Sequence, residues 1–156
     1  MTDYDFAEEF SASLATILGQ PKPYKVRWHA RKNRWVVKGS SILLYKFLNC
    51  DWKSLKKWIE HCDNCWGAFL RAFYDSEGSI IGSLVVSNTR RELLGYLQTL
   101  LKKAHIETTS LLLGTSAGTK LKDPRTGRIY VRKKDCFRFT VRTQSIPRFE
   151  YGAGGI

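Results

Sequence analysis

No stretch of this 156-residue chain approaches the ~20 consecutive apolar residues of a membrane-spanning helix, so no membrane partner is expected. Acidic residues are scarce: 14 Asp and Glu stand against 26 Lys and Arg, a formal net charge of +12 at pH 7. That imbalance points to a polyanionic partner. The basic residues fall in alternating, strand-like runs and no basic amphipathic helix is evident, which favours nucleic acid over a membrane surface. Cysteine is also sparse. Of Cys50, Cys62, Cys65 and Cys136 only the middle pair has C-x-x-C spacing, beside His61, and no second C-x-x-C or H-x-x-x-H completes a zinc site. Reduced, mostly buried thiols are therefore expected, with half a zinc site as the weaker alternative. The acidic opening MTDYDFAEEF is unlike a signal peptide, which leads us to expect an intracellular location, cytoplasm or nucleoid. What is present is core material: 43% hydrophobic and 13% aromatic residues are too many for a disordered tail. The length suffices to bury one core without disulfide support, so one compact domain is expected.

Phe6, Phe10, Leu14, Ile17 and Leu18 recur at helical spacing and predict a first helix over 5–18, stopped by Gly19 and Pro21. In 24–31, Tyr24, Val26, Trp28 and Ala30 alternate with Lys25, Arg27, His29 and Arg31, a strand with one apolar and one cationic face. A turn at Lys32 and Asn33 leads back along 34–38, adding Arg34 and Lys38 to that face. Ser40 or Ser41 is placed to cap one helix and Asp51 another. Asp63 or Asn64 is placed to cap a further helix over 66–75, ended by Gly78. A short β segment over 79–87 follows, then a capping box of Thr89 and Glu92 opening a helix of Leu93, Leu94, Leu97, Leu100 and Leu101 that ends near His105.

From 108 to 142 the pattern is β again, with a hairpin tip over 122–127. Alternation sets Ile129, Val131, Phe137, Phe139 and Val141 on one side, and Arg128, Tyr130, Arg132, Arg138, Thr140 and Arg142 on the other. A second cationic sheet face is expected there, with Lys120, Lys122 and Arg125 beside it.

The segment LRAFYDSEG at 70–78 has three features that a simple core helix does not need. Ala68, Ala72 and Ser76 recur every four residues, leaving a stripe without bulk along which a second helix could approach closely. Asp75 and Glu77 stand at the helix C-terminus, where the macrodipole disfavours negative charge by about 0.3–1 kcal/mol each. Gly78 frees the backbone directly after the acid, so the Glu77 carboxylate and nearby carbonyl oxygens are suited to a hard cation.

Residues 70–78 resemble the LAGLIDADG signature in the variant ending D-x-E-G-S, and the flanking Phe69, Ser79 and Ile80 agree with it. Asn88, Thr89, Glu92, Leu93, Leu94, Leu100, Leu101 and Ile106 resemble the family's next segment, so the similarity covers about 66–142. Arg71 in place of a small residue, His105 in place of a frequent glycine and the short stretch between Ser79 and Leu84 depart from the pattern.

The resemblance implies an α+β fold of αββαββ type, with curved antiparallel DNA-binding sheets and the motif helix at a dimer interface of Ala68, Ala72 and Ser76. It maps Glu77 to the catalytic, metal-ligating acid, the Ser76 backbone carbonyl to a secondary ligand, and Asp75 to a structural helix-end position. It implies a site-specific homing endonuclease that cuts double-stranded DNA as a homodimer with Mg²⁺ or Mn²⁺. An RNA-binding intron maturase and a catalytically inactive DNA-binding protein are the alternatives. Lys120 and Lys122 are candidates to assist at the scissile phosphate. Residues 1–65, preceding a catalytic and DNA-binding segment at 66–156, resemble what precedes the second motif in two-motif archaeal members.

Overall fold

A computed structural model describes residues 3–80, 82–123 and 126–147, and the chain divides into two compact units, Met1–Leu55 and Lys56–Ile156. In the first unit, helix α1 (Tyr4–Ile17) is capped by Asp3, whose carboxylate accepts from the Phe6 N–H at 3.2 Å. Its buried side is lined by the small residues Ala7, Ser11 and Ala15, and the Ser11 hydroxyl donates to the Tyr24 carbonyl at 2.5 Å. Strands β1 (Arg27–His29) and β2 (Arg34–Val36) pair antiparallel. The expected strand over 24–31 is shortened because the turn consumes its end: Ala30–Lys32 form a 3-10 turn, and Asn33 takes a left-handed φ of 47°. Trp35 packs edge-on against Trp28 and against Tyr4 of α1, with ring centroids 5.0 and 4.7 Å apart. Helix α2 (Ile42–Leu48) is capped by the Ser41 hydroxyl, which accepts from the Leu44 N–H at 3.1 Å. After the 3-10 turn Trp52–Leu55, helix α3 (Lys56–Ile59) belongs to the second unit, where it packs on the next helix.

That helix, α4 (Asp63–Glu77), is longer than the 66–75 read from the sequence, and its cap is neither Asp63 nor Asn64. Cys62 caps it, its sulfur accepting from the Cys65 N–H at 3.3 Å. Strands β3 (Gly78–Ile80) and β4 (Leu84–Asn88) form a hairpin where the sequence suggested one β segment. Helix α5 (Arg91–Lys103) follows without the expected capping box: Arg90 is the N-cap and makes no side-chain cap bond, while Asn88 Oδ1 accepts from the Arg90 N–H at 2.9 Å. At its far end the Ile106 N–H reaches the Leu101 carbonyl and the His105 N–H the Lys102 carbonyl, with His105 at φ 57°. This is the Schellman arrangement that usually selects glycine at the left-handed position, and it gives a backbone reason for the family's preference there.

Strands β5 (Leu112–Thr115) and β8 (Cys136–Thr140) complete a four-stranded antiparallel sheet of order β3-β4-β8-β5, whereas β6 (Lys120–Lys122) and β7 (Ile129–Val131) pair apart from it. Val86 lies opposite Phe139, and these fully buried residues meet Leu94, Leu97, Leu100 and Leu101 of α5 and Leu70 of α4 in one core. Helices on one face of an antiparallel sheet make the expected α+β class. At the second unit's edge, Glu60 ties α3 to α5: it accepts from the Tyr96 hydroxyl at 3.1 Å and pairs with Lys103. Hydrogen bonding from Lys103 holds the Glu60 carboxyl below its ordinary range.

Burial rather than residue type should set the cost of core truncation. Leu97→Ala, at 0% exposure, is expected to cost about 2–5 kcal/mol by denaturant unfolding. The same change at Leu43, 80% exposed, should stay within about 0.5 kcal/mol. Equal losses at the two positions would contradict the packing described.

Candidate functional site

Helix α4 has two unlike sides. Gly67, Leu70 and Tyr74 are buried against the unit's core, while Ala68, Arg71, Ala72, Asp75, Ser76 and Glu77 are exposed. The stripe of Ala68, Ala72 and Ser76 thus lies on the outer surface of its unit. Arg71, which interrupts the small-residue pattern, reaches along the helix to Asp75, with Nε 3.9 Å from Oδ2. This gives Asp75 a role at the helix end that does not draw on Glu77.

Gly78 serves a purpose different from the one its position suggests. Its backbone is extended, with φ −78° and ψ 157°, a conformation open to any residue. Space is what requires glycine: a Cβ there would lie 2.4 Å from the Tyr74 carbonyl oxygen. The Gly78 N–H donates to that same carbonyl, so the helix ends and β3 begins without an intervening loop. The consequence is that Glu77, last residue of the motif helix, stands directly at the edge of the sheet.

The Glu77 carboxylate is exposed, and among the described residues no hydrogen bond or ion pair occupies it. The last carbonyls of a helix also lack intrahelical donors. The Ser76 hydroxyl donates back along the helix to the Phe73 carbonyl at 3.1 Å, and the Ser76 backbone carbonyl is a further oxygen donor at the helix end. A carboxylate and a carbonyl are hard oxygen donors of the kind Mg²⁺ and Mn²⁺ take. They fit such an ion as part of a set that other oxygen ligands must complete.

The first basic face is present, on a shorter strand. Arg27 lies opposite Val36, and His29 opposite Arg34, so Arg27, His29 and Arg34 share one side of the hairpin while Trp28 and Trp35 share the other. Lys25, Arg31 and Lys38 are exposed outside the ladder. A concavity of about 550 Å³ is lined by Tyr24, Lys25, Arg27, Trp28, His29 and Lys38, among others.

The second basic face is not a single face. Residues 128–132 and 138–142 lie in different sheets, so alternation along the chain cannot align them. In the β6-β7 hairpin Lys120 and Lys122 sit opposite Val131 and Ile129, and the parity of Arg128 and Arg132 places these on the side of Tyr130. Ile129 and Val131, which alternation set on the same side as Phe137, Phe139 and Val141, are 69% and 54% exposed. In β8 the reading holds, because Phe139 and Val141 are buried and Arg138 is exposed. Across the outer side of the four-stranded sheet, Arg138 is joined by Ser79, Val85, Ser87, Thr140 and Leu112, a mixed rather than cationic surface. The Arg138 stem lies against Gly114, whose Cβ would meet its Cδ at 3.2 Å. Arg142 is engaged with Glu107 at 4.0 Å, and Arg132 is half-buried with a Nε that has no hydrogen-bond partner among the described residues. Arg125 falls outside the described residues. Sequence reasoning missed the exposed Lys133 and Lys134 before β8, and the polar side chains of the outer sheet face, which become legible only once the strand register is known.

The cysteines also depart from expectation, since Cys50 and Cys62 are exposed and Cys65 and Cys136 half-buried. The Cys62 and Cys65 sulfurs lie 2.8 Å apart. Hydrogen bonding from Cys65, and then from His61, lowers the Cys62 thiol to about 7.

A sheet with two helices on one face, the second unit's α-β-β-α opening and an acid at the end of the first of these helices define the LAGLIDADG class of fold. Residues 65–112 match the family model described as a LAGLIDADG-like domain. Two uncharacterised proteins of Methanocaldococcus jannaschii are similar in sequence. One is 34% identical over 96% of this chain and 54% of its own length, the other 32% identical over 69% and 45%. The chain thus spans about half the length of these curated relatives. Among solved structures, the homing endonuclease I-DmoI shares the fold. A structure of its mesophilic variants matches with a TM-score of 0.65 at 16% identity, covering 100% of this chain and 78% of that one. I-DmoI in complex with DNA and manganese gives 0.66 at 15% identity, covering 98% and 77%.

Because the obstacle at Gly78 is backbone, Gly78→Ala must displace either the helix end or β3. A loss of about 1–3 kcal/mol is expected by denaturant unfolding. A stability unchanged from wild type would show that the junction is looser than the 2.4 Å approach requires.

Proposed function

We propose that this chain is a site-specific double-strand DNA endonuclease of the homing type, acting within the cell as a homodimer with Mg²⁺ or Mn²⁺. The observation that carries the reading is the exposed Glu77 carboxylate, without a protein partner among the described residues, at the end of a helix whose outer stripe is free of bulk. Relatives in fold have been solved with target DNA and with magnesium, manganese or calcium, which supports the same chemistry here.

Glu77 would hold the ion, with the Ser76 backbone carbonyl as a secondary ligand. The bound ion supplies an activated water and relief of charge on the scissile phosphate. The chain's own contribution is positioning. The Gly78 junction fixes the acid against the sheet edge, and the Arg71–Asp75 pair leaves Glu77 as the acid without a protein partner among the described residues. Two copies meeting along Ala68, Ala72 and Ser76 would bring two such acids together, one for each DNA strand. The exposed Arg27, His29 and Arg34 face would bind phosphates by charge, and base contacts would come from exposed strand residues.

Glu77→Gln keeps the side-chain shape and removes its charge. It should abolish cleavage in a single-turnover assay while the protein stays folded and still shifts its DNA site in Ca²⁺. Normal cutting by this variant would remove the metal assignment. Unchanged binding of RNA alone would favour the maturase alternative.

Substituting Arg27 and Arg34 together by Ala should weaken DNA binding and reduce the slope of log K against log salt by about 0.9 for each lost phosphate contact. Ala72→Trp should yield a monomer by sedimentation and lose double-strand cutting. A monomer that cuts both strands would overturn the homodimer.

A further inference from the structure

We propose that His61, Cys62 and Cys65 form a second metal site, specific for a soft or borderline transition-metal ion of the zinc type and separate from the oxygen-ligand site at Glu77. One nitrogen and two sulfur donor atoms all lie within 4.8 Å of one another. Ligand bonds of about 2.0–2.3 Å place the corners of a zinc tetrahedron about 3.3–3.8 Å apart, so modest side-chain rotation converts the cluster into three corners. Two sulfur ligands select zinc, cobalt or cadmium against Mg²⁺ and Ca²⁺.

The surroundings fit a bound ion. Cys62 and His61 are exposed and Cys65 half-buried, so an ion can enter and a fourth ligand can come from water. The flanking acids are otherwise engaged: Glu60 with Lys103 and Tyr96, and Asp63 accepting from the Trp66 indole N–H at 3.1 Å. Two thiolates suit the positive end of the α4 dipole, and a divalent ion with two thiolates and a neutral imidazole is net neutral.

The site's placement gives it an effect. His61 lies just after α3 and Cys62 caps α4, so the ion would fasten the joint between these helices and the first turn of the motif helix. Cys62 and Glu77 are separated along α4 by about 22 Å at 1.5 Å per residue, so the soft site sits at the opposite end from the hard one. It does not depend on the endonuclease reading.

The test uses the full chain, stripped of metal and reduced, titrated with Co²⁺. The expected signature is tetrahedral cobalt absorption with a thiolate-to-metal charge-transfer band, saturating at about one ion per chain. Zn²⁺ should displace it, and excess Mg²⁺ should not. Cys62→Ser and Cys65→Ser should each weaken binding by about 100-fold or more, and His61→Ala by about 10-fold. Serine at 62 still caps a helix, so circular dichroism should show these variants folded. Oxidation of the thiols before titration should abolish the signal. Absence of the tetrahedral bands in the reduced wild type, or their persistence in Cys62→Ser with Cys65→Ser, would overturn the site. Loss of the bands on changing Cys50 or Cys136 alone would overturn it as well.

Discussion

The contact on which the second unit depends is the one between Gly78 and the Tyr74 carbonyl. A helix that ends by handing its chain directly to a strand has no loop in which to absorb error. The direction of α4, the register of β3 on β4 and the location of Glu77 therefore follow from one close approach. Tyr74 and Leu70 anchor the same helix in the core, so this geometry is held by packing as well as by the backbone. The backbone of Glu77 is fixed in this way, while its carboxylate stays exposed without a protein partner among the described residues.

The two sides of α4 answer different demands. The inner side is filled by residues that pack on α5 and the sheet, and the outer side is left with alanine, serine and one ion pair. Bulk on the outer side would stabilise nothing within the unit and would obstruct a second helix. At its two ends the helix carries contrasting donors: sulfur and imidazole where the dipole is positive, oxygen where it is negative. Ligand softness alone would keep two ions apart on such an element.

The strongly positive charge of the chain is distributed less simply than its alternating pattern suggests. On the first hairpin, cross-strand pairing gathers Arg27, His29 and Arg34 on one side because the tryptophans occupy the other and pack on each other and on Tyr4. Among the described strand residues of the second unit, the basic ones are Lys120 and Lys122 on a separate hairpin and Arg138 in the main sheet, and Arg142 just beyond is drawn toward Glu107. A surface that mixes one arginine with serine, threonine and aliphatic groups has more scope for base-specific contact than a uniformly cationic one would.

The amino-acid sequence by itself determined the helices, the motif and its acid, because helical periodicity and the spacing of Ala68, Ala72, Ser76 and Glu77 are local properties that survive without knowledge of neighbours. It also determined the parity of β8, where burial of one side imposes alternation. Strand pairing and register were decided only by tertiary structure. Whether β7 joins β8 or β6 depends on long-range hydrogen bonds, and that choice separates the exposed Ile129 and Val131 from the buried side of β8. The true caps, Cys62 in place of Asp63 and Arg90 in place of Thr89, likewise became legible only in the tertiary structure. The approach of His61 to the two cysteines was decided the same way, since the short break between α3 and α4 fixes how three adjacent side chains converge.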